Sequence, residues 1–397
     1  MHIFATSYRE VTHRVGSTPE ILYHPLNYLE DNVRRVWWTA PVLGMVMAVA
    51  ACADDGPTQV SDGVNGGGDT ITEDVDVDRA RLAAFAPLPE VVEPTAYTMT
   101  DELIDLGRML WYEDRISISQ EISCNSCHLL DEYGVDGIQF SIGHEGNPVG
   151  RNSPTVYNAA LHVAQFWDGR AADLEEQAKG PILDAGEMGM PNPEYVEFIL
   201  ATIPGYVEMF EAIFPDDADP INYDNVGNAI GAFERRLFTP DRFDDFLNGD
   251  DDALTAQEKR GLNTFLDVGC ASCHNGAALG GTMFSKLGTV KEYPGLTDVG
   301  RFEVTGLESD RYSFKVPSLR NVAMTAPYLH DGSIATLEEV TAIMGEYQLG
   351  RILTDEEIAD LIAFMGALTG EIPLDYIAIP DLPENGPDTP GPYEYDG

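Results

Sequence analysis

The sequence is short of positive charge. Of its 397 residues only 23 are Lys or Arg, against 67 Asp or Glu, for a formal net charge of −44. Clustered basic residues are what neutralise a phosphate backbone, so nucleic acid is excluded as a partner. No stretch shows sustained period-two alternation, which leaves no extended sheet to expect. The most apolar run starts near Val36 and falls short of the ~20 residues that span a bilayer. Cysteine is scarce as well. There are five, and their positions leave none for a disulfide.

Four of the five sit in two copies of one pattern, Cys124-Asn-Ser-Cys127-His128 and Cys270-Ala-Ser-Cys273-His274. Cys-x-x-Cys-His is the attachment site of c-type haem. The two thiols bond the porphyrin vinyl groups, and the histidine is placed to ligate the iron. Zinc is the competing reading, because paired Cys-x-x-Cys also builds four-cysteine sites. Here the pairs stand 146 residues apart (270 − 124), and each is followed directly by a histidine that such a site does not need. Two covalently bound haem c groups are therefore expected.

The fifth cysteine, Cys52, closes Val49-Ala50-Ala51-Cys52 after the apolar run, and Arg34 and Arg35 precede that run. A basic start, a short apolar core and small residues at the cut site make a secretory signal. A cysteine at the cleavage point resembles a bacterial lipobox. Residues 1–51 are thus expected to be a lipoprotein-type signal, with a lipid anchor at Cys52 and a periplasmic protein behind it. Residues 1–33 are long for the basic part of such a signal, as a wrongly assigned start codon would make them. Residues 52–92, rich in Asp and Gly, are expected to form a flexible acidic tether. Residues 374–397, rich in Pro and acids, are expected to be a disordered acidic tail.

Between these ends the patterns are helical. Leu103, Leu106, Met109 and Leu110 share one face, with Thr100 as N-cap. Thr255 to Glu258 and Thr354 to Glu357 are capping boxes, each followed by helically spaced apolar residues. Val226, Ile230, Phe233 and Leu237 mark another helix. A capped helix, a short loop and Cys-x-x-Cys-His occur twice. This predicts a mostly α protein of two tandem cytochrome-c-like haem domains with long irregular segments. They should occupy 93–238 and 239–373, with the boundary near Thr239-Pro240.

What a haem does depends on its distal side. Beyond the predicted signal, the histidines outside the two motifs are His144, His162 and His330. Met283, Met324 and Met344 are candidate sulfur ligands. The acidity has two readings: a surface that steers a basic redox partner, or a solvated surface suited to salty water.

Several short motifs then resemble those of the bacterial di-haem cytochrome c peroxidases. Ser141-Ile-Gly-His144, Arg151-Asn152-Ser-Pro-Thr155, Phe166-Trp167-Asp168-Gly169-Arg170, Leu174-Glu-Glu-Gln177 and Glu187-Met-Gly189 resemble the family's first domain. Gly300-Arg-Phe-Glu-Val304, Val316-Pro-Ser-Leu-Arg-Asn321, Thr325-Ala-Pro-Tyr328, His330-Asp-Gly-Ser333 and Met344-x-x-x-Gln348-Leu-Gly350 resemble its second. The resemblance covers about Thr98 to Glu371.

The resemblance implies a division of labour. The haem on Cys124, Cys127 and His128 would be peroxidatic, with His144 as a removable distal ligand. Glu187 would be the acid/base, Gln177 would position peroxide, and Trp167 would stand between the haems. The haem on Cys270, Cys273 and His274 would receive electrons, with Met344 as distal ligand. Calcium would bind at Asn152, Thr325 and Pro327. The implied reaction is reduction of hydrogen peroxide with electrons from a small cytochrome c or copper protein, by an enzyme that forms a homodimer. Two other readings stand beside it. One is the related di-haem enzyme of methylamine utilisation, which oxidises protein tryptophans and has tyrosine where this chain has Met344. Here Tyr347 is close by. The other is a non-catalytic di-haem electron-transfer cytochrome.

Overall fold

In the computed structural model, residues 75–393 are described. The signal, Cys52 and the first part of the expected tether lie outside them. Among the described residues the helices are α1 (Asp101–Trp111), α2 (Cys124–Cys127), α3 (Leu174–Leu183), α4 (Pro193–Ala201), α5 (Pro204–Ile213) and α6 (Tyr223–Glu234), then α7 (Arg242–Leu247), α8 (Ala256–Val268), α9 (Phe302–Thr305), α10 (Leu337–Ile343) and α11 (Asp355–Ala367). Two three-residue strands, β1 (Phe284–Lys286) and β2 (Ser313–Lys315), pair antiparallel with Phe284 opposite Lys315. The protein is largely helical, as the apolar spacing requires.

The caps form as the sequence dictates. Thr100 Oγ1 accepts from Leu103 N at 3.2 Å. Thr255 and Thr354 each close a reciprocal capping box, with Glu258 and Glu357.

The buried apolar side chains fall into two clusters. One gathers Leu106, Leu110, Tyr206, Val226, Ile230 and Phe233 around α1, α3 and α6. The other gathers Phe243, Leu262, Phe265, Leu361 and Phe364 around α8 and α11. In each, the helix before the Cys-x-x-Cys-His motif crosses the last helix of its cluster at a glycine. A Cβ on Gly107 would lie 1.8 Å from the Ala229 carbonyl oxygen, and one on Gly261 1.9 Å from that of Asp360. Only glycine permits backbones that close.

The chain passes between clusters at Thr239, which is fully buried. Its hydroxyl accepts from Asn158 Nδ2 at 3.1 Å and Asn321 Nδ2 at 2.8 Å. The expected boundary is therefore a packed joint. Just beyond it, Arg320 is wholly buried and bonds Asp241 at 2.6 Å and Asp244 at 2.7 Å.

Both ends depart from expectation. The tether boundary at 92 is corrected by a 3₁₀ turn at Arg79–Ala84 that buries Val77, Leu82 and Phe85 in the second cluster. Phe85 meets the Phe243 ring edge-on at 5.5 Å, and Gly276 N donates to Ala84 O at 2.8 Å. The tail expected to be disordered packs on the first cluster. Ile377 is buried there, Tyr376 stacks on Phe233 at 5.1 Å, and its hydroxyl donates to Phe233 O at 2.7 Å. Tyr393 N donates to Ile118 O at 3.0 Å. The chain ends are thus crossed straps: the earlier one serves the second half, the later one the first. Neither is periodic, and each is held by a few large apolar side chains and backbone hydrogen bonds, which composition does not reveal.

Candidate functional site

A cavity of about 960 Å³ runs between the halves and is lined by both motifs. That is near the top of the ~300–1,000 Å³ usual for ligand sites. Cys124 and Cys127 form the single turn α2, which Ser123 and Ser126 cap reciprocally. Cys270 to Ser272 form a 3₁₀ turn directly after α8, where Gly269 takes the left-handed conformation that ends the helix. None of these four cysteines is in a disulfide.

Each motif histidine is oriented by a carbonyl. His128 Nδ1 lies 3.2 Å from Gly134 O, and His274 Nδ1 lies 3.2 Å from Leu279 O. A carbonyl only accepts, so Nδ1 carries the proton and Nε2 keeps its lone pair. That is the second-shell arrangement of a metal-ligating histidine. Paired thiols, oriented imidazoles and an apolar cavity match the donor set that haem c requires.

Glu187, Gln177 and Trp167 all line the cavity. Gln177 stands on α3, whose N-cap is Asp173. Glu187 follows α3 on a loop held by Glu187 N donating to Asp184 O at 3.0 Å. Burial, helped by Asp184, pushes the Glu187 carboxyl up to about 7, with Arg170 acting against it. Trp167 touches both halves: its Nε1 donates to Asn152 O at 2.9 Å, and its carbonyl accepts from Lys315 N at 2.7 Å.

His144 is not brought to the cavity. Its Nε2 is 2.9 Å from Ala185 O, and its backbone N donates to Glu187 O at 2.8 Å. The ring lies over Gly189, where a Cβ would come within 2.4 Å of Nε2. In this arrangement the Nε2 of His144 is engaged by the Ala185 carbonyl.

Met344 lines the cavity and opens a π-helical turn, Met344–Gln348, that extends α10. π turns often mark functional positions. Gln348 pins this turn, its Oε1 accepting from Gly288 N at 2.9 Å and Thr289 N at 2.8 Å. Met283 and Met324 are exposed and off the cavity. Tyr347 is off it too, edge-on to Tyr293 at 5.1 Å. Met365 of α11 lines the cavity and was not weighed from sequence, where it reads as core.

Asn152, Thr325 and Pro327 all line the cavity. Asn152 Nδ2 donates to Ile138 O at 3.0 Å, leaving Oδ1 as the atom a cation would use. Arg151 ties the halves there, bonding Asp168 at 2.6 Å and Asp298 at 2.7 Å. His330 stacks on Phe314 at 4.0 Å. His162 and Lys315 also reach the cavity. Sequence reasoning gave Lys315 no role, although a lysine between Phe314 and Val316 was a signal of burial. Among the described residues no helix is long and apolar enough to cross a membrane.

Comparison with known proteins fits this geometry. The family model described as di-haem cytochrome c peroxidase matches residues 101–252. Cytochrome c551 peroxidase of Pseudomonas aeruginosa is 44% identical over 318 residues, covering 79% of this chain and 91% of that one. The methylamine utilization protein MauG of Methylorubrum extorquens is 33% identical over 365 residues, covering 87% of this chain and 97% of that one. Among solved structures, a MauG-like protein associated with microbial copper homeostasis aligns with a TM-score of 0.67 at 32% identity, covering 74% of this chain and 97% of that one. With both haem-binding motifs on one cavity and relatives that match over most of their length, the chain belongs to the di-haem cytochrome c peroxidase family.

Proposed function

We propose that the protein reduces hydrogen peroxide to water with two electrons from a small cytochrome c or copper protein. The observation that carries this reading is Glu187, a carboxyl raised to about 7 on the wall of a cavity that also holds both motifs. When bound, the two haem c groups supply the iron and the electrons for cleaving the O–O bond. Glu187 takes a proton from the near peroxide oxygen and returns one to the departing oxygen, a task suited to a group that titrates near neutrality. The Gln177 amide orients the peroxide. Trp167 spans the two halves and lies on the route electrons take between them. Met344 would hold the second haem through its thioether, a ligand that favours the ferrous state and a higher potential.

His144 has two seats in this reading. One is the seat on Ala185 O. The other would be on the first haem, where its imidazole would keep peroxide out until the second centre is reduced. Asn152, Thr325 and Pro327 would hold calcium through oxygen atoms. The enzyme works in the periplasm, anchored through lipid on Cys52, as a homodimer whose acidic surface steers its donor.

The methylamine-type reading asks for a tyrosine where this chain has Met344, and the nearby Tyr347 does not line the cavity. A pure electron-transfer reading leaves Glu187 without a task. The deciding experiment is peroxide turnover by the purified di-haem protein with a reduced small cytochrome c. Rapid turnover after reduction by one electron, and little before, is the expected result. No turnover in either state would overturn the reading.

A further inference from the structure

One buried cation on the cavity wall has no part in the chemistry above. Lys315 ends β2 and is 7% exposed. Its Nζ lies 3.0 Å from His162 Nδ1. An ammonium only donates, so Nδ1 accepts. The other ring nitrogen, Nε2, is sealed from solvent and has no hydrogen-bond partner in the protein. The one protein hydrogen bond of this imidazole therefore goes to the lysine, and His162 serves to hold it.

Among the described residues no carboxylate lies within ion-pair distance of Lys315. Asp168 acts on it only through space, and burial pushes the ammonium down to about 7. A buried charge without a partner is costly, so this lysine is poised to charge fully when an anion that the protein does not itself supply joins it.

The placement points to the anion. Lys315 and His162 both line the cavity. Both are built onto the loop that follows the second motif. Val163 N donates to Gly281 O at 2.9 Å, and Gly281 N donates to Val316 O at 2.7 Å. On the same loop, Leu279 O orients His274. Haem c carries two propionate carboxylates on the edge away from its thioether bonds. We infer that Lys315, held in place by His162, binds a propionate of the haem attached through Cys270 and Cys273. This rests on that motif carrying haem. His162 comes from the first half and Lys315 from the second, so both halves take part in setting the second centre. A cation beside a propionate disfavours the ferric state, so the pair raises the potential in the same direction as Met344.

The test uses the holoprotein and the variants Lys315→Met, His162→Leu and His162→Gln. Haem per chain is counted from the pyridine haemochrome spectrum, and both centres are then titrated optically against potential. Two haems per chain are expected throughout. The second midpoint should fall in Lys315→Met and, by less, in His162→Leu. It should stay in His162→Gln, whose amide oxygen still accepts from the lysine. The first midpoint should not move. If Lys315→Met fails to hold two haems, the two His162 variants still decide. An unmoved second midpoint with two haems present would overturn the inference and leave the peroxidase reading intact. A wild-type chain without haem on the second motif would sink both. Adding acetate to the wild type distinguishes the sources of carboxylate. A second midpoint that shifts with acetate in the wild type, but not in Lys315→Met, assigns the site to a free anion and overturns the propionate.

Discussion

The two halves are built alike and finished differently. Each sets a capped helix against a later helix across a glycine, follows it with Cys-x-x-Cys-His, and turns the histidine with a backbone carbonyl at 3.2 Å. The first half brings to the cavity a raised carboxyl and an amide, Glu187 and Gln177, and seats His144 on the Ala185 carbonyl. The second half brings to it a thioether, Met344, on a π turn pinned by Gln348. The shared parts are the capped helices; the differing groups stand on α3, on the loop after it and on the π turn that extends α10. In the proposed function the shared helices hold the two haems, and the differing groups set which one reacts and which one relays.

The largest effect should come from removing the group found only in the first half. Glu187→Gln should cost ~10²–10⁴-fold in turnover, the usual contribution of a general acid–base group. Haem content should hold. As a base Glu187 must be ionised, so wild-type turnover should climb as pH rises through about 7, and the variant should lack that limb. Stopped-flow mixing of the activated variant with peroxide measures the loss directly. An unaltered rate would remove Glu187 from the mechanism.

Stability separates the halves next. Arg320→Met leaves Asp241 and Asp244 buried without their cation. Breaking a buried pair this way costs ~3–5 kcal/mol. Urea unfolding should show that loss, and tryptic cleavage should appear first in the second half. Met344→His then tests the ligand contrast. With histidine at both distal positions the second midpoint should fall toward the first. A titration in which the first haem moves instead would reverse the assignment of the halves. The smallest effect belongs to the late strap. Tyr376→Phe removes one hydrogen bond, to Phe233 O, and keeps the ring stack. It should cost about 0.5–1.5 kcal/mol, the net worth of such a bond, read as a small fall in the urea midpoint.

Sequence carried the helical class and the haem motifs because both are local. A cap needs four residues, and Thr100, Thr255 and Thr354 all close as their spacing dictates. Glu187, Gln177, Trp167 and Met344 needed family motifs, since nothing local separates Glu187 from the other acids of so acidic a chain. What stayed hidden is non-local. The straps bury Phe85 and Ile377 against partners more than a hundred residues away. The seat of His144 depends on Ala185 and Gly189, which no spacing from His128 reveals. Lys315 owes its character to its surroundings, not to its type.

The crossed straps also bear on the order of assembly. Residues 374–393 are synthesised after the whole of the second half, yet Tyr376 and Ile377 belong to the first. The first half cannot finish its core while the chain is still growing through the second. The second half, whose strap comes first, meets no such delay. The half made earlier is therefore completed later, and both cofactor cradles reach final form only once the two halves are present together.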